Sequence, residues 1–293
     1  MPKSSPARNA TSATRTSKET NASLKSVAST VRSKAPALKA DWYDYPEYYD
    51  LAFADDTPGE AAFIAEACAK HAVGPVRTML EPGCGGGRLV VELARYGFHV
   101  TGFDNNAKML AHLKKRIQRE KLSAEAFAGD MVDFKLPRQV DAIFNTFNTF
   151  RHLTTEEAAL AHLKSAHRAL RKGGIYVLGF HLLPDDASLE CIERWTAKTG
   201  KTKITYTLRV VDSSRRTRIE ALRVSMLVRS PSKELRVATE FPLRLYSPKQ
   251  WRNTLAAIPE FELVEVYDFC YDIDHPVKFD NKLSDAVFIL RKK

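Results

Sequence analysis

The chain has 293 residues, 44% of them hydrophobic, and a formal net charge of +10. That length allows one large domain or two small ones, and the composition is that of a soluble globular protein with enough apolar content for a sizeable core. No apolar run approaches the roughly 20 residues that span a bilayer. The N-terminus lacks the apolar core of a secretory signal, and the four scattered cysteines (Cys68, Cys84, Cys191, Cys270) contain no CxxC pair, which argues against zinc and against a disulfide framework. A membrane span and a secreted disulfide scaffold are therefore excluded, and the expected compartment is the cytoplasm.

The positive charge is concentrated at one end. Residues 1–40 hold eight Lys or Arg and one acid, Glu19, and the rest of the chain carries 37 basic and 34 acidic groups. The first 40 residues are rich in Ser, Thr, Ala and Lys and have almost no large apolar side chains, so they read as a disordered basic tail. Their poor amphipathicity weakens a transit-peptide reading. The nearly neutral remainder, residues 41–293, argues against nucleic acid as a partner of the folded domain.

Order is expected from the aromatic cluster Trp42, Tyr43, Tyr45, Tyr48 and Tyr49 onward. Thr57-Pro58-Gly59-Glu60 has capping-box spacing and opens a helix to about Ala69. A regular alternation follows: a strand at Val76–Leu80, a glycine-rich turn at Gly83–Gly87, a helix at Arg88–Tyr96, a strand at His99–Phe103 and a helix at Ala107–Arg119. Strands at Ala124–Ala128 and Val140–Phe144 come next, then a helix capped by Thr154 and Glu157 that runs to about Leu170, a turn at Gly173-Gly174 and a strand at Ile175–Phe180. Strands alternating with helices predict a parallel sheet with helices on both faces. After Phe180 the period changes. Ser188–Thr196 reads as a short helix, and Lys203–Val211, Arg218–Val228 and Leu235–Leu245 as an antiparallel meander with turns at Asp212-Ser213-Ser214 and Ser230-Pro231-Ser232. Ser247 and Gln250 cap a last helix before strands at Phe261–Tyr267 and Ala286–Leu290.

The chemical signal lies in Leu80-Glu81-Pro82-Gly83-Cys84-Gly85-Gly86-Gly87, between a strand and a helix. Glycines there permit a tight turn and close approach of a ligand to a helix N-terminus. Asp104, 21 residues after Gly83, ends the next strand, where an acid can accept hydrogen bonds from ribose hydroxyls. A dinucleotide fingerprint would need its third glycine at Arg88, which disfavours NAD.

Glu81 through Gly87 resembles the first motif of the class I S-adenosylmethionine-dependent methyltransferases, with an acid two residues before G-x-G-x-G. The resemblance implies a Rossmann-like, doubly wound α/β fold with a seven-stranded sheet, its last strand antiparallel. It also implies S-adenosylmethionine as methyl donor, bound by Glu81, Gly83, Cys84, Gly85, Gly87, Asp104, Asn105, Met109, Asp130, Met131 and Asn145. Leu170-Arg171-Lys172-Gly173-Gly174 resembles the family's turn before strand five, with Lys172 in place of the usual proline. The insertion at about 182–246 resembles one found in small-molecule N-methyltransferases, where it covers the active site and can make homodimer contacts. The tyrosine cluster resembles the segment that closes over cofactor and substrate there; simple core packing is the competing reading.

In-line methyl transfer from a sulfonium requires alignment and exclusion of water, and no general acid. An oxygen acceptor needs a base, and a nitrogen acceptor must be unprotonated. His181, His152 and Tyr49 are the candidate catalytic groups. Methyl transfer to a small molecule, to nitrogen ahead of oxygen, is the leading expectation. The alternatives are an RNA or protein methyltransferase recruited by the basic tail, and a cofactor-binding module without catalysis.

Overall fold

A computed structural model describes residues 38, 39 and 41–293, so the expected tail at 1–40 lies outside it except for Leu38 and Lys39. In chain order the elements are β1 (Leu38–Lys39), α1 (Pro46–Ala52), α2 (Thr57–His71), β2 (Thr78–Pro82), α3 (Arg88–Arg95), β3 (His99–Asp104), α4 (Ala107–Glu120), β4 (Ala124–Ala128) and β5 (Val140–Asn145). Then follow α5 (Glu156–Ala169), β6 (Leu170–His181), β7 (Ile192–Thr199), β8 (Thr202–Ser214), β9 (Ile219–Arg229), β10 (Glu234–Arg244), α6 (Pro248–Ala256), β11 (Phe261–Tyr267) and β12 (Asp285–Lys292).

Seven strands form one sheet in the order β11-β12-β6-β5-β2-β3-β4. β12 runs antiparallel to both of its neighbours, and the other six strands are parallel. This is the expected Rossmann-like architecture. Parallel central strands are buried on both faces, and two apolar layers cover them. One layer gathers Phe150, Leu163, Tyr176, Phe180, Trp251 and Phe288, and the other Phe63, Ile64, Val90, Leu113, Phe144 and Val177. The sheet order reverses beside β2, where β3 lies on one side and β5 on the other, so the crevice for a ligand opens at the carboxyl ends of these strands.

The insertion folds as a second, antiparallel sheet in the order β1-β10-β9-β8-β7. Its inner face carries Ile204, Tyr206, Val224, Met226, Val228 and Val237, packed on Trp42, Ala52 and Phe53 from the N-terminal segment. The expected helix at Ser188–Thr196 is wrong. Residues 192–199 form β7, which pairs residue for residue with β8, and Trp195 and Ala197 point inward at strand period. The turn expected at Asp212-Ser213-Ser214 lies within β8, past a bulge between Val210 and Asp212; the chain turns instead at residues 215–218. Gly173-Gly174 likewise lies inside β6, where the ladder to β5 slips register.

Helix caps follow local chemistry with two corrections. Asn106 caps α4 by accepting from the amides of Lys108 and Met109, and Ser247 with Gln250 completes the expected capping box on α6. The box expected at Thr57 and Glu60 does not form. Asp56 is the N-cap, the Thr57 hydroxyl donates to the Phe53 carbonyl at 2.7 Å, and Glu60 is taken by Arg88. On α5 the cap is Thr155 rather than Thr154; its hydroxyl accepts from the Ala158 amide. Among the described residues no helix is long and apolar enough to cross a membrane.

Candidate active site

The glycine turn joins the end of β2 to α3. Gly83 has φ +64°, and a Cβ there would meet Thr149 Cγ2 at 2.7 Å and Met131 Sδ at 3.0 Å, so only glycine lets the chain turn beneath those side chains. Gly85, at φ +52°, donates its amide to Asp104 Oδ2 at 2.8 Å. The other Asp104 oxygen accepts the Asn106 amide at 2.8 Å. Asp104 thus stands at the end of β3 as expected, with its carboxylate fixed by two backbone N–H groups and lone pairs remaining on each oxygen. The buried Cys84 donates its amide to the Phe103 carbonyl, and Gly87 caps α3. Met109 is buried in the first turn of α4, and the neighbouring Asn105 is exposed. Asp130 is also exposed and accepts the Val132 amide at 2.8 Å, while Met131 packs under the glycine turn.

Three oxygens at this turn are buried without a hydrogen-bond partner: Glu81 Oε2, Asn145 Oδ1 and Thr146 Oγ1. Glu81 and Thr146 line the same small pocket as Gly83–Gly87 and Tyr49. Burial pushes the Glu81 carboxyl well above the ordinary carboxylate range, against the pull of nearby Arg88. Orphaned acceptors of this kind need donors, and buried polar groups are rarely left unsatisfied. A ligand with a cationic centre and N–H donors, as the methionine portion of S-adenosylmethionine has, fits this set.

Two groups of side chains lie beside the pocket, which Tyr49 of the first and Phe147 of the second line. In the first, Tyr49 Cε1 lies 3.9 Å from where a Gly85 Cβ would stand, the Tyr43 and Tyr49 rings are 5.5 Å apart, and the Tyr43 hydroxyl meets His152 Nε2 at 3.4 Å. Burial, with the Arg151 charge adding to it, lowers the His152 imidazole to about 4, so it is neutral at pH 7. Burial raises both phenols, which remain protonated. In the second group, His181 Nδ1 meets Asp285 Oδ1 at 2.6 Å, between the rings of Phe147 and Phe269. The three expected catalytic residues therefore do not form one hydrogen-bonded set. Phe53 bridges them through ring contacts of 5.2 Å to both Tyr49 and Phe147. A cleft of about 390 Å³ adjoins the pocket and shares Phe53, Arg88 and Phe147 with it.

Several site residues were missed in the sequence. Phe147 and Asn148 both have positive φ, 59° and 74°, in the loop after β5. For a phenylalanine that is a strained conformation, of the kind that concentrates at functional sites. Its local sequence announces nothing, although Asn148 is a residue that tolerates this region. Arg88 was noted only as an obstacle to NAD. It pairs with the buried Glu60 at 2.5 Å and stacks over Phe53 at 5.5 Å, which anchors the start of α3.

This sheet order, with a glycine turn after its first strand and an acid closing the second, defines a class I methyltransferase fold. Comparison with known proteins agrees. Residues 79–174 match the family model described as a methyltransferase domain. The chain is 26% identical over 215 residues to the dTDP-3-amino-3,6-dideoxy-alpha-D-glucopyranose N,N-dimethyltransferase of Streptomyces fradiae, covering 72% of this chain and 81% of that protein. It is 28% identical over 138 residues to the dTDP-3-amino-3,4,6-trideoxy-alpha-D-glucopyranose N,N-dimethyltransferase of Streptomyces venezuelae, covering 46% and 56%. Of two of the curated relatives it matches, the chain thus spans 56% of the length. In structure it is similar to an S-adenosylmethionine-dependent methyltransferase from Clostridium acetobutylicum, with a TM-score of 0.70, 15% identity, and 86% and 98% of the two chains covered. The chain resembles the class I S-adenosylmethionine-dependent methyltransferases, and the small-molecule N-methyltransferases among them.

Proposed function

We propose that this protein methylates an amine nitrogen of a small molecule, with S-adenosylmethionine as donor. The observation that carries the proposal is the roof over the glycine turn. The segment around Tyr43–Phe53 is pressed onto the pocket by the insertion sheet: Tyr206 Oη donates to the Tyr48 carbonyl at 2.5 Å and Trp195 Nε1 to the Ala52 carbonyl at 2.9 Å. A chamber closed in this way suits a compact acceptor. The two sugar N,N-dimethyltransferases among the relatives support nitrogen as the target.

When bound, the donor supplies an electrophilic methyl on a sulfonium. The chain's own residues then have three tasks. Glu81, Asn145 and Thr146 accept hydrogen bonds from the donor's cationic portion, and Asp104 binds its ribose. Tyr43, Tyr49, Phe53 and Phe147 exclude water and align the acceptor. His181, its Nδ1–H directed at Asp285, keeps Nε2 free to take a proton from the acceptor amine. Tyr49 as a protonated phenol and His152 as a weakly basic imidazole serve as hydrogen-bonding groups rather than bases.

The test incubates the protein with methyl-labelled donor and a panel of amines that includes nucleotide-linked amino sugars, and mass spectrometry locates the label. Tyr49→Ala and His181→Ala should each lower turnover at least tenfold, about 1.4 kcal/mol of transition-state stabilisation, and change S-adenosylhomocysteine affinity much less. Label found on RNA or protein but on no small amine overturns the reading.

A further inference from the structure

The near-neutral charge of residues 41–293 conceals a local asymmetry. Alternation along β7–β10 sends the apolar residues inward, so their neighbours share the outer face of the insertion sheet. Seven cations project there: Arg194, Lys198, Lys203, Arg209, Arg223, Arg229 and Arg236. The same face has three carboxylates: Glu234 and Glu240 pair with Arg223, Arg229 and Arg236, and Asp212, opposite Ala221, lies past the bulge in β8. Lys198, Lys203 and Arg209 have no ion-pair partner among the described residues.

Register makes the pattern more specific. Lys198 lies directly opposite Lys203, and Lys203 opposite Arg229, so three cations cross three strands in one row. Toward the other end of β8, Arg209 lies opposite Arg223. Like charges directly opposed destabilise a sheet, and here the arrangement is repeated. The two rows are six residues apart along β8, about 20 Å. Between them lie Thr196, Thr205, Thr207, Ser225, Leu227 and Ala238, with Arg194 and Arg236 on the flanking strands. The first 37 residues, with seven cations against one acid, join this sheet covalently at β1.

We propose that the outer face of the insertion sheet is a docking surface for the phosphate backbone of a nucleic acid. A second copy of this chain would set the cation rows against one another. No aromatic side chain from β7–β10 lies among these outward positions, because Trp195 and Tyr206 point inward, so the platform offers no base stacking and binding is independent of sequence. The surface is separate from the glycine turn, and its test does not depend on methyl transfer.

The experiment measures anisotropy of a fluorescein-labelled, mixed-sequence single-stranded RNA with the full chain over a salt series. In wild type, binding should weaken steeply with salt. The triple variant Lys198→Gln, Lys203→Gln, Arg209→Gln should bind at least tenfold more weakly at low salt, with a melting temperature no lower than that of the wild type, since opposed like charges are removed. Its log–log salt slope should be shallower by about 2, since each single-strand phosphate contact contributes about 0.7. A full-chain variant with Gln at the seven cations of residues 1–37 should keep residual binding that the triple substitution removes. Wild-type binding by the triple variant overturns the proposal. So does an absence of RNA binding by the wild type, a change in sedimentation of the triple variant that marks the face as a contact between copies, or loss of binding to phosphatidylserine vesicles with RNA binding intact.

Discussion

Asp104 holds the amides of Gly85 and Asn106 on opposite oxygens of one carboxylate. It therefore orders the glycine turn and the start of α4, and in the proposed function its remaining lone pairs meet the donor's ribose. Asp104→Ala should cost charge-assisted hydrogen bonds worth about 1.5–3 kcal/mol, a tenfold or greater loss of S-adenosylhomocysteine affinity by calorimetry. Unchanged affinity in a folded variant would refute the assignment. Two buried histidines make a second prediction at this scale. His152 and His162 are both held near 4, each chiefly by burial. Their unfolded value is about 6.5. Because the folded values are depressed, the stability they contribute is present above pH 6.5 and lost as pH falls toward 4. Each proton taken up only by the unfolded chain adds a slope of up to about 1.4 kcal/mol per pH unit. Urea titrations between these limits should show the decline, and His152→Gln should reduce it. The glycine turn and Asp104 were legible because their signal is a short pattern between a strand and a helix. Arg88 with Glu60 was not, because a pair formed by the starts of two helices leaves no periodic trace in sequence.

At the scale of elements, the insertion is bolted to the loop after β5 through Arg151. Its Nε donates to the Arg244 carbonyl of β10 at 2.8 Å, one Nη pairs with Glu220 of β9, and the other donates to Asn148 Oδ1 at 3.2 Å. Asn148 Oδ1 also accepts the His181 amide at 3.0 Å. One guanidinium therefore ties two strands of the insertion to the loop that carries Phe147. Arg151 is buried and Glu220 mostly so, at 6% and 12% side-chain exposure, so Arg151→Met strands a carboxylate and should cost about 3–5 kcal/mol. Urea denaturation reads this directly, and a loss below about 1 kcal/mol would show that solvent relieves Glu220. The parallel strands were legible from their apolar runs. β7 was misread as a helix because most of its side chains are exposed and its strand identity comes from pairing with β8. The tyrosine cluster left two readings open, and the structure joins them. Tyr49 belongs to the apolar cluster that Trp42 and Phe53 form with the insertion, and it also lies over Gly85.

For the molecule as a whole, the fold was legible because strand and helix periods alternate over most of the parallel sheet. The distribution of charge was not, since a sum over residues carries no faces. Removing residues 1–37 should leave the melting temperature and cofactor affinity unchanged, because that composition adds no core. Differential scanning calorimetry checks this, and a clear fall in melting temperature would mean that the segment packs on the body. The N-terminal roof has a consequence for biosynthesis. Trp42 donates its amide to Thr239, 197 residues later, and β1 finds its only strand partner, among the described residues, in β10. A ribosome adding about 5–20 residues per second needs about 10–40 s to supply that partner. Through that interval the nascent Trp42 and Phe53 have no sheet to cover them, although every strand needed for the glycine turn's crevice except β11 and β12 has already been made. The pocket at the glycine turn can begin to take shape on the ribosome well before the N-terminal segment that covers it is held in place by β10.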